Sequence, residues 1–148
     1  MNEYRYTECG LDNVVIHGID VAGDEAGEEV YSIPNILGLH KVIAHGIVTL
    51  GQGIRGNELR FLRTEMGLTQ GELAELVKRD HQTVGRWERG EISLDPNAEF
   101  VIRTVAAERL GIDLGLSHEE MARRCVPGGK LVVIRIDATD PGDYKLAA

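Results

Sequence analysis

Helix-capping signals recur at short intervals between residues 69 and 96, and they constrain the fold of this chain more than any other feature. Thr69-Gln70-Gly71-Glu72 is a capping box, because Thr69 can accept from the amide three residues on while Glu72 reaches back to the cap. Asp80 can cap the next helix, residues 81–89, which Gly90 ends. Asp95-Pro96 then provides a cap followed by proline at the first helical position. The segment therefore predicts several short, separately capped helices.

Two further helices frame this group. Asn57 can cap a preceding helix that Gly67 ends, and Ser117-His118-Glu119-Glu120 is a second capping box that opens a short later helix. The predicted buried positions follow helical spacing. They are Leu59, Leu62 and Met66 in the first helix, Leu73, Ala74 and Val77 in the second, and Phe100, Val101, Val105 and Leu110 in the fourth. Five helices are predicted from residue 57 onward.

The second and third helices meet the requirements of a helix-turn-helix. Ala74 supplies the small residue at the tight point of the first helix of the motif, and Val84 and Trp87 can dock the recognition helix. The outward residues of that helix are predicted to read bases: His81, Gln82, Thr83 and Arg86. Gln suits adenine and Arg suits guanine. An ordinary helical bundle with a buried Trp87 is the alternative.

The block closely resembles the phage-repressor (Xre-type) helix-turn-helix family. The resemblance lies in Leu68-Thr69-Gln70-x-Glu72-Leu73-Ala74 and Thr83-Val84-x-Arg86-Trp87-Glu88-x-Gly90, and it covers roughly residues 57–110. It implies that Gln70 and the outward residues of the third helix contact DNA. Candidate contacts to the DNA backbone are Gln70, Arg60, Arg63, Lys78, Arg79 and Arg89.

Charge is unevenly distributed along the chain of 148 residues, whose formal net charge is −8. Residues 1–55 carry three basic and eight acidic side chains, a net charge of −5. An acidic chain can still bind a polyanion if one face gathers its cations, because charges act over only about 8–10 Å at physiological salt. The total charge therefore does not exclude DNA binding.

The rest of the chain predicts a small α+β unit and a short β-like tail. Residues 13–16 and 29–33 are strand-like and form a plausible hairpin, and Ile36, Leu39, Val42 and Ile43 predict a helix. Residues 47–50 and 131–136 are further strand-like runs. Gly51-Gln52-Gly53-Ile54-Arg55-Gly56 is predicted to be a flexible linker. We expect an α+β fold divided into residues 1–52, a helix-turn-helix domain at 53–112, and a C-terminal extension at 113–148.

The sequence gives little support for a dinucleotide-binding site, a metal site or a catalytic nucleophile. Gly51-x-Gly53-x-x-Gly56 matches a dinucleotide-binding fingerprint, but a second helix follows where the fingerprint needs a returning strand. Neither the histidines nor the widely separated Cys9 and Cys125 have metal-site spacing, and no nucleophile motif is present. We expect no metal, no cofactor and no enzymatic activity. The chain lacks a signal-like N-terminus and a long apolar run, so we expect a cytoplasmic protein without a membrane segment.

The whole chain is also similar to the MqsA (YgiT-type) antitoxins. The opening Tyr4-x-Tyr6-Thr7-Glu8-x-Gly10-Leu11-Asp12-Asn13-Val14 carries this resemblance. That family has a four-cysteine zinc knuckle in its N-terminal domain, where it binds its toxin, whereas this region contains Cys9 alone. The resemblance implies a toxin partner but no zinc.

The sequence thus predicts a dimeric repressor that binds a palindromic double-stranded DNA operator. Two recognition helices would enter successive major grooves about 34 Å apart. The favoured role is the antitoxin of a type II toxin–antitoxin pair that represses its own operon, with a basic toxin on the acidic N-terminal unit. The alternative is a stand-alone repressor whose N-terminal unit senses a ligand or dimerises.

Overall fold

The computed structural model describes residues 3–23, 27 and 29–147, and it has the predicted α+β composition. The described residues form six helices and six strands. The helices are α1 Ile36–Val48, α2 Gly56–Glu65, α3 Gln70–Val77, α4 His81–Glu88, α5 Pro96–Leu110 and α6 His118–Arg124. The strands are β1 Glu3–Arg5, β2 Val14–His17, β3 Asp20–Gly23, β4 Glu29–Ser32, β5 Ile134–Asp137 and β6 Lys145–Leu146.

The strands pair differently from the predicted hairpin. β2 lies between β1, which is antiparallel to it, and β5, which is parallel to it with Val14 opposite Ile134. β4 pairs instead with β3, and β6 completes the sheet in the order β1-β2-β5-β6. The predicted hairpin between residues 13–16 and 29–33 is therefore wrong. Alternate residues of β2 and β5 are buried, and the predicted β-like tail is an inner strand of this sheet.

The run at residues 47–50 is not a strand. Ile47 and Val48 are the last two residues of α1, and residues 49–50 follow its end. Ile43, Ile47 and Val48 are fully buried. β-branched residues favour strands, but here their spacing keeps them on the buried side of a helix that has already begun. The fingerprint-like glycines consequently follow a helix, which removes the strand that a dinucleotide site would need.

The chain forms two compact units, and the division falls within α1. The sheet unit comprises residues 1–43 and 132–148, and the helical unit comprises residues 44–131. In the sheet unit, the Asn13 side-chain amide donates to the Val132 carbonyl at 2.8 Å, so the start of β5 is held beside β2. These units differ from the predicted segments 1–52, 53–112 and 113–148, because β5 joins the N-terminal strands and α6 joins the helices.

A buried ion pair lies inside the helical unit. Glu99 and Arg103, one turn apart on α5, have fully buried side chains joined at 2.7 Å. Arg103 also donates to the carbonyls of Val48, Leu50 and Gln52, which follow or end α1. We call Glu99, Arg103 and these carbonyls the base cluster. Burial raises the pKa of Glu99 above its ordinary value, and the charge of Arg103 opposes that rise.

The glycine-rich segment between α1 and α2 is packed, which corrects the predicted flexible linker. A Cβ added at Gly53 would lie 2.0 Å from the Val126 carbonyl oxygen, and one at Gly56 would lie 2.3 Å from that of Trp87. Only glycine permits backbones to approach so closely. Helix α2 also begins earlier than predicted: Arg55, and not Asn57, is the N-cap, and Glu58 accepts from its amide at 2.7 Å.

Helix α5 buries a different face from the predicted one. Phe100, Val101 and Val105 are half-buried. The face that packs inward is made of Ala98, Glu99, Ile102, Arg103, Ala106 and Ala107. Small residues let α5 approach its neighbours closely, and the two charged residues form the base cluster. The pattern of large apolar residues was therefore a poor guide to this helix.

Candidate nucleic-acid interface

Two side-chain caps fix where α3 and α4 begin. The Thr69 hydroxyl accepts from the Glu72 amide at 3.1 Å, and Glu72 accepts from the Thr69 amide at 3.0 Å, so the predicted capping box is confirmed. Asp80 accepts from the Thr83 amide at 2.8 Å. These backbone hydrogen bonds lower the pKa of both carboxyls, Glu72 and Asp80. The caps set the ends of the two helices that form the motif.

A three-residue turn joins α3 to α4. Lys78 has a φ of 60°, in the left-handed region, and ends α3 as its C-cap. The Arg79 amide then donates to the Ala74 carbonyl at 2.9 Å, which closes the turn. Ala74 is only 3% exposed, as expected for the small residue at the tight point of the motif.

Helix α4 is held against α2 and α3 by apolar and ionic contacts. Val84 and Trp87 are buried, as predicted for the side that docks. Glu88 accepts from Arg63 of α2 at 2.6 and 3.0 Å and from the Gln70 amide of α3 at 3.1 Å. The hydrogen bond to Glu88 raises the pKa of Arg63 above its ordinary value. One carboxylate thus ties the recognition helix to both of its neighbours.

The opposite side of α4 is polar and open to solvent. His81, Gln82 and Arg86 are exposed, and they make no side-chain hydrogen bond or ion pair with any residue that the structure describes. They line a cleft of about 340 Å³ together with Gln70, Gly85 and Arg89. We call these six residues the α4 face. Its donors can form hydrogen bonds with base edges or phosphate oxygens.

The other predicted contact residues differ in how available they are. Arg60 and Lys78 are exposed and unengaged within the described part of the chain. Arg79 lies 3.5 Å from Asp95 and 5.9 Å from the centre of the Trp87 ring, and Arg89 pairs with Glu91 at 2.6 Å. Thr83 is half-buried, and its hydroxyl donates to Asp80 at 3.0 Å. It therefore contributes to the cap of α4 rather than to the open cleft.

Arg63 does not lie on the α4 face. Its side chain is only 16% exposed, and it donates to the Leu68 carbonyl as well as to Glu88. A phosphate could reach it only by displacing these partners. We therefore assign Arg63 to the stability of the motif. Glu88, the partner of Arg63, has the same structural role and was not predicted from the sequence. The sequence feature that indicates it is an acidic residue directly after the buried Trp87.

Residues 56–107 match the model of a family described as a helix-turn-helix domain. The matched segment contains α2, α3 and α4 and most of α5. No curated protein and no solved structure matches the chain. Among the described residues there is no group of three histidine, cysteine or acidic side chains that could hold a metal ion. No helix in that part of the chain is both long and apolar enough to cross a membrane.

Geometry and the family match agree on this segment. Residues 56–107 form a helix-turn-helix domain, with α3 and α4 as the two helices of the motif. Such a domain indicates a transcription regulator with DNA as its partner.

Proposed function

We propose that the chain is a transcriptional repressor in which α4 reads a palindromic operator as part of a homodimer. The observation that carries this proposal is the α4 face: His81, Gln82 and Arg86 are exposed and unengaged among the described residues, beside the Gln70 end of α3. Arg86 is the candidate for guanine and Gln82 for adenine. A role at DNA also implies a cytoplasmic protein.

The proposed contacts to the DNA backbone come from exposed cations of the helical unit. Arg60, Lys78, Arg79 and Arg89 are the proposed phosphate ligands, together with Gln70. They position the protein on the duplex without reading its sequence. Arg63 is left out of this set because Glu88 and the Leu68 carbonyl engage it.

Selection from random double-stranded DNA, with the full chain as bait, tests the reading helix. Arg86→Ala and Gln82→Ala should each weaken binding to the selected sequence by roughly 1–3 kcal/mol while leaving binding to unrelated DNA nearly unchanged. Arg123→Ala is the matched control, since Arg123 is an exposed arginine on α6 that pairs with Glu119. Wild-type affinity in Arg86→Ala would show that α4 is not the reading helix.

We further propose that the sheet unit binds a basic toxin, so that the chain acts as the antitoxin of a type II pair. The charge distribution supports this partner. Residues 1–43 and 132–148 hold four basic and eleven acidic side chains, a net charge of −7 of the total −8, so the helical unit is left near neutral. Opposite charge would speed the encounter with a basic partner. The similarity of residues 4–14 to MqsA-type antitoxins points the same way.

Co-expression with each neighbouring gene tests the antitoxin role. One small basic neighbour should arrest growth when expressed alone, and the chain should restore growth and co-purify with it. If no neighbour is toxic, or the chain neutralises none, the stand-alone repressor replaces the antitoxin as the proposed role. Size-exclusion chromatography with light scattering tests the homodimer separately, since a monomer at micromolar concentration would contradict it.

A further inference from the structure

Gly85 lies in the middle of α4, on the same side as the cleft. Glycine in a helix interior is less stable than alanine, because glycine loses more conformational freedom on folding. The backbone of Gly85 is helical and has no positive φ, so its conformation does not require glycine. What glycine provides at this position is therefore space.

Two side chains use that space. A Cβ added at Gly85 would lie 3.0 Å from Nη1 of Arg89 and 3.6 Å from Oε1 of Gln70. The Arg89 side chain thus turns back by one helical turn and ends against the backbone of α4. Glu91 accepts from Nε of Arg89 at 2.6 Å, and Glu88 accepts from the Gln70 amide at 3.1 Å. Both polar groups are oriented before any ligand arrives.

We propose that Gly85 is a positioning residue for DNA binding, because its missing side chain lets the Arg89 guanidinium lie against the α4 backbone, next to Oε1 of Gln70, and donate from its Nη groups to one backbone phosphate. This inference rests on the proposed function. The group bound at this part of the cleft is then a phosphate of the DNA backbone. Among the described residues, Glu91 engages only Nε of Arg89, so the Nη donors are available to an anion. Guanidinium groups suit phosphate oxygens because they present several N–H donors in one plane.

Gly85→Ala should move stability and affinity in opposite directions. The added methyl group displaces the end of a flexible side chain, which costs folding little, and alanine favours the helix. The melting temperature should therefore rise. Displacing Nη1 from its phosphate geometry should weaken binding to the selected DNA about threefold, because charge-assisted hydrogen bonds depend on alignment. A purely structural role would move stability and affinity together.

A double-mutant cycle in the full chain tests the mechanism. Wild type, Gly85→Ala, Arg89→Ala and the double variant are compared on the DNA that the wild type selects. Arg89→Ala should weaken binding about tenfold, and Gly85→Ala should have no further effect once Arg89 is absent. The inference is overturned if Gly85→Ala binds like wild type, or if it lowers affinity equally in both backgrounds.

The Arg86→Ala variant separates this inference from the proposed function. If wild type selects a sequence and Arg86→Ala loses it, α4 is the reading helix, and an inert Gly85→Ala then overturns only the positioning role. If wild type selects no sequence, both are overturned.

Discussion

The helical unit uses arginine in opposite ways in the base cluster and on the α4 face. In the base cluster, Arg103 is fully buried, pairs with Glu99 at 2.7 Å and donates to backbone carbonyls near the end of α1. On the α4 face, Arg86 is exposed and makes no side-chain hydrogen bond or ion pair with a described residue. The same type of side chain is thus a buried structural group in one place and an exposed group available to a ligand in the other.

Arg63 shows which observations distinguish a structural arginine from one that is available to DNA. It precedes the motif, as a phosphate contact could, yet it is largely buried against Glu88 and resembles Arg103 more than Arg86. A buried guanidinium that donates to a carboxylate and to a carbonyl holds the fold. An exposed one keeps N–H donors for DNA, even where a carboxylate takes one of them, as in Arg89. Burial and partners, and not the place in the sequence, therefore decide the role of each arginine.

The largest effect should come from breaking the base cluster. Arg103→Met should lower the free energy of unfolding by roughly 3–5 kcal/mol, because it leaves Glu99 buried without its counter-charge. Arg123→Met, which breaks an exposed pair of the same spacing, should change it by less than about 0.5 kcal/mol. Urea denaturation measures both. Equal effects would mean that Arg103 is no more important than a surface arginine.

Arg63→Ala should lower the free energy of unfolding by about 2 kcal/mol, because Glu88 and the Leu68 carbonyl lose a charged donor. Arg60→Ala, an exposed arginine on the same helix, should leave stability nearly unchanged and weaken DNA binding instead. Chemical denaturation and DNA titration of both variants separate the two roles. If Arg63→Ala kept full stability and lost DNA affinity, Arg63 would belong to the DNA-binding surface after all.

Gly53→Ala should lower the free energy of unfolding by about 1–3 kcal/mol, since its methyl group would overlap the Val126 carbonyl. Gly51→Ala is the matched control, because no atom lies within 4 Å of its added Cβ. Thermal melting compares the two. If the two variants melt at the same temperature, the segment is a flexible linker, as its glycines suggest.

The smallest effect should be a pH dependence at the cap of α4. The Thr83 amide lowers the pKa of Asp80, so the charged carboxylate is favoured in the folded state. The stabilisation is complete above the ordinary aspartate pKa of about 4 and is lost as the pH falls through the lowered value. The melting-temperature gap between wild type and Asp80→Asn should therefore stay constant from pH 7 to about 5 and shrink below about pH 4. A gap that persists into acid would contradict this.

Local features of the fold could be predicted because their causes lie within a few residues. The caps at Thr69, Asp80, Asp95 and Ser117 each act on an amide three residues away, and the structure confirms all four. The buried Val84 and Trp87 follow from helical spacing. For the same reason the sequence identified the exposed His81, Gln82 and Arg86 correctly as outward residues, although their contacts with bases stay a prediction.

The features of the fold that could not be predicted depend on residues that are far apart in the sequence. Residues 13–16 resemble half of a hairpin because the next strand-like run, 29–33, lies close in the sequence, whereas the partner of β2 is β5, near the other end of the sequence. Glu99 and Arg103 offered a signal, namely opposite charges four residues apart in line with Ile102 and Ala106. Their burial, however, depends on carbonyls about 50 residues earlier in the chain. The tight contact of Gly53 with Val126 is equally invisible to local patterns.

The parallel pairing of β2 with β5 sets an order of events during synthesis. Val14 lies opposite Ile134, so β2 leaves the ribosome about 120 residues ahead of its partner, a delay of roughly 6–24 s at about 5–20 residues per second. Residues 44–131 emerge in between, and they make up the helical unit. The nascent chain would thus fold its helix-turn-helix first, while one edge of β2 still lacks its neighbour. During that interval a chaperone could bind the exposed strand.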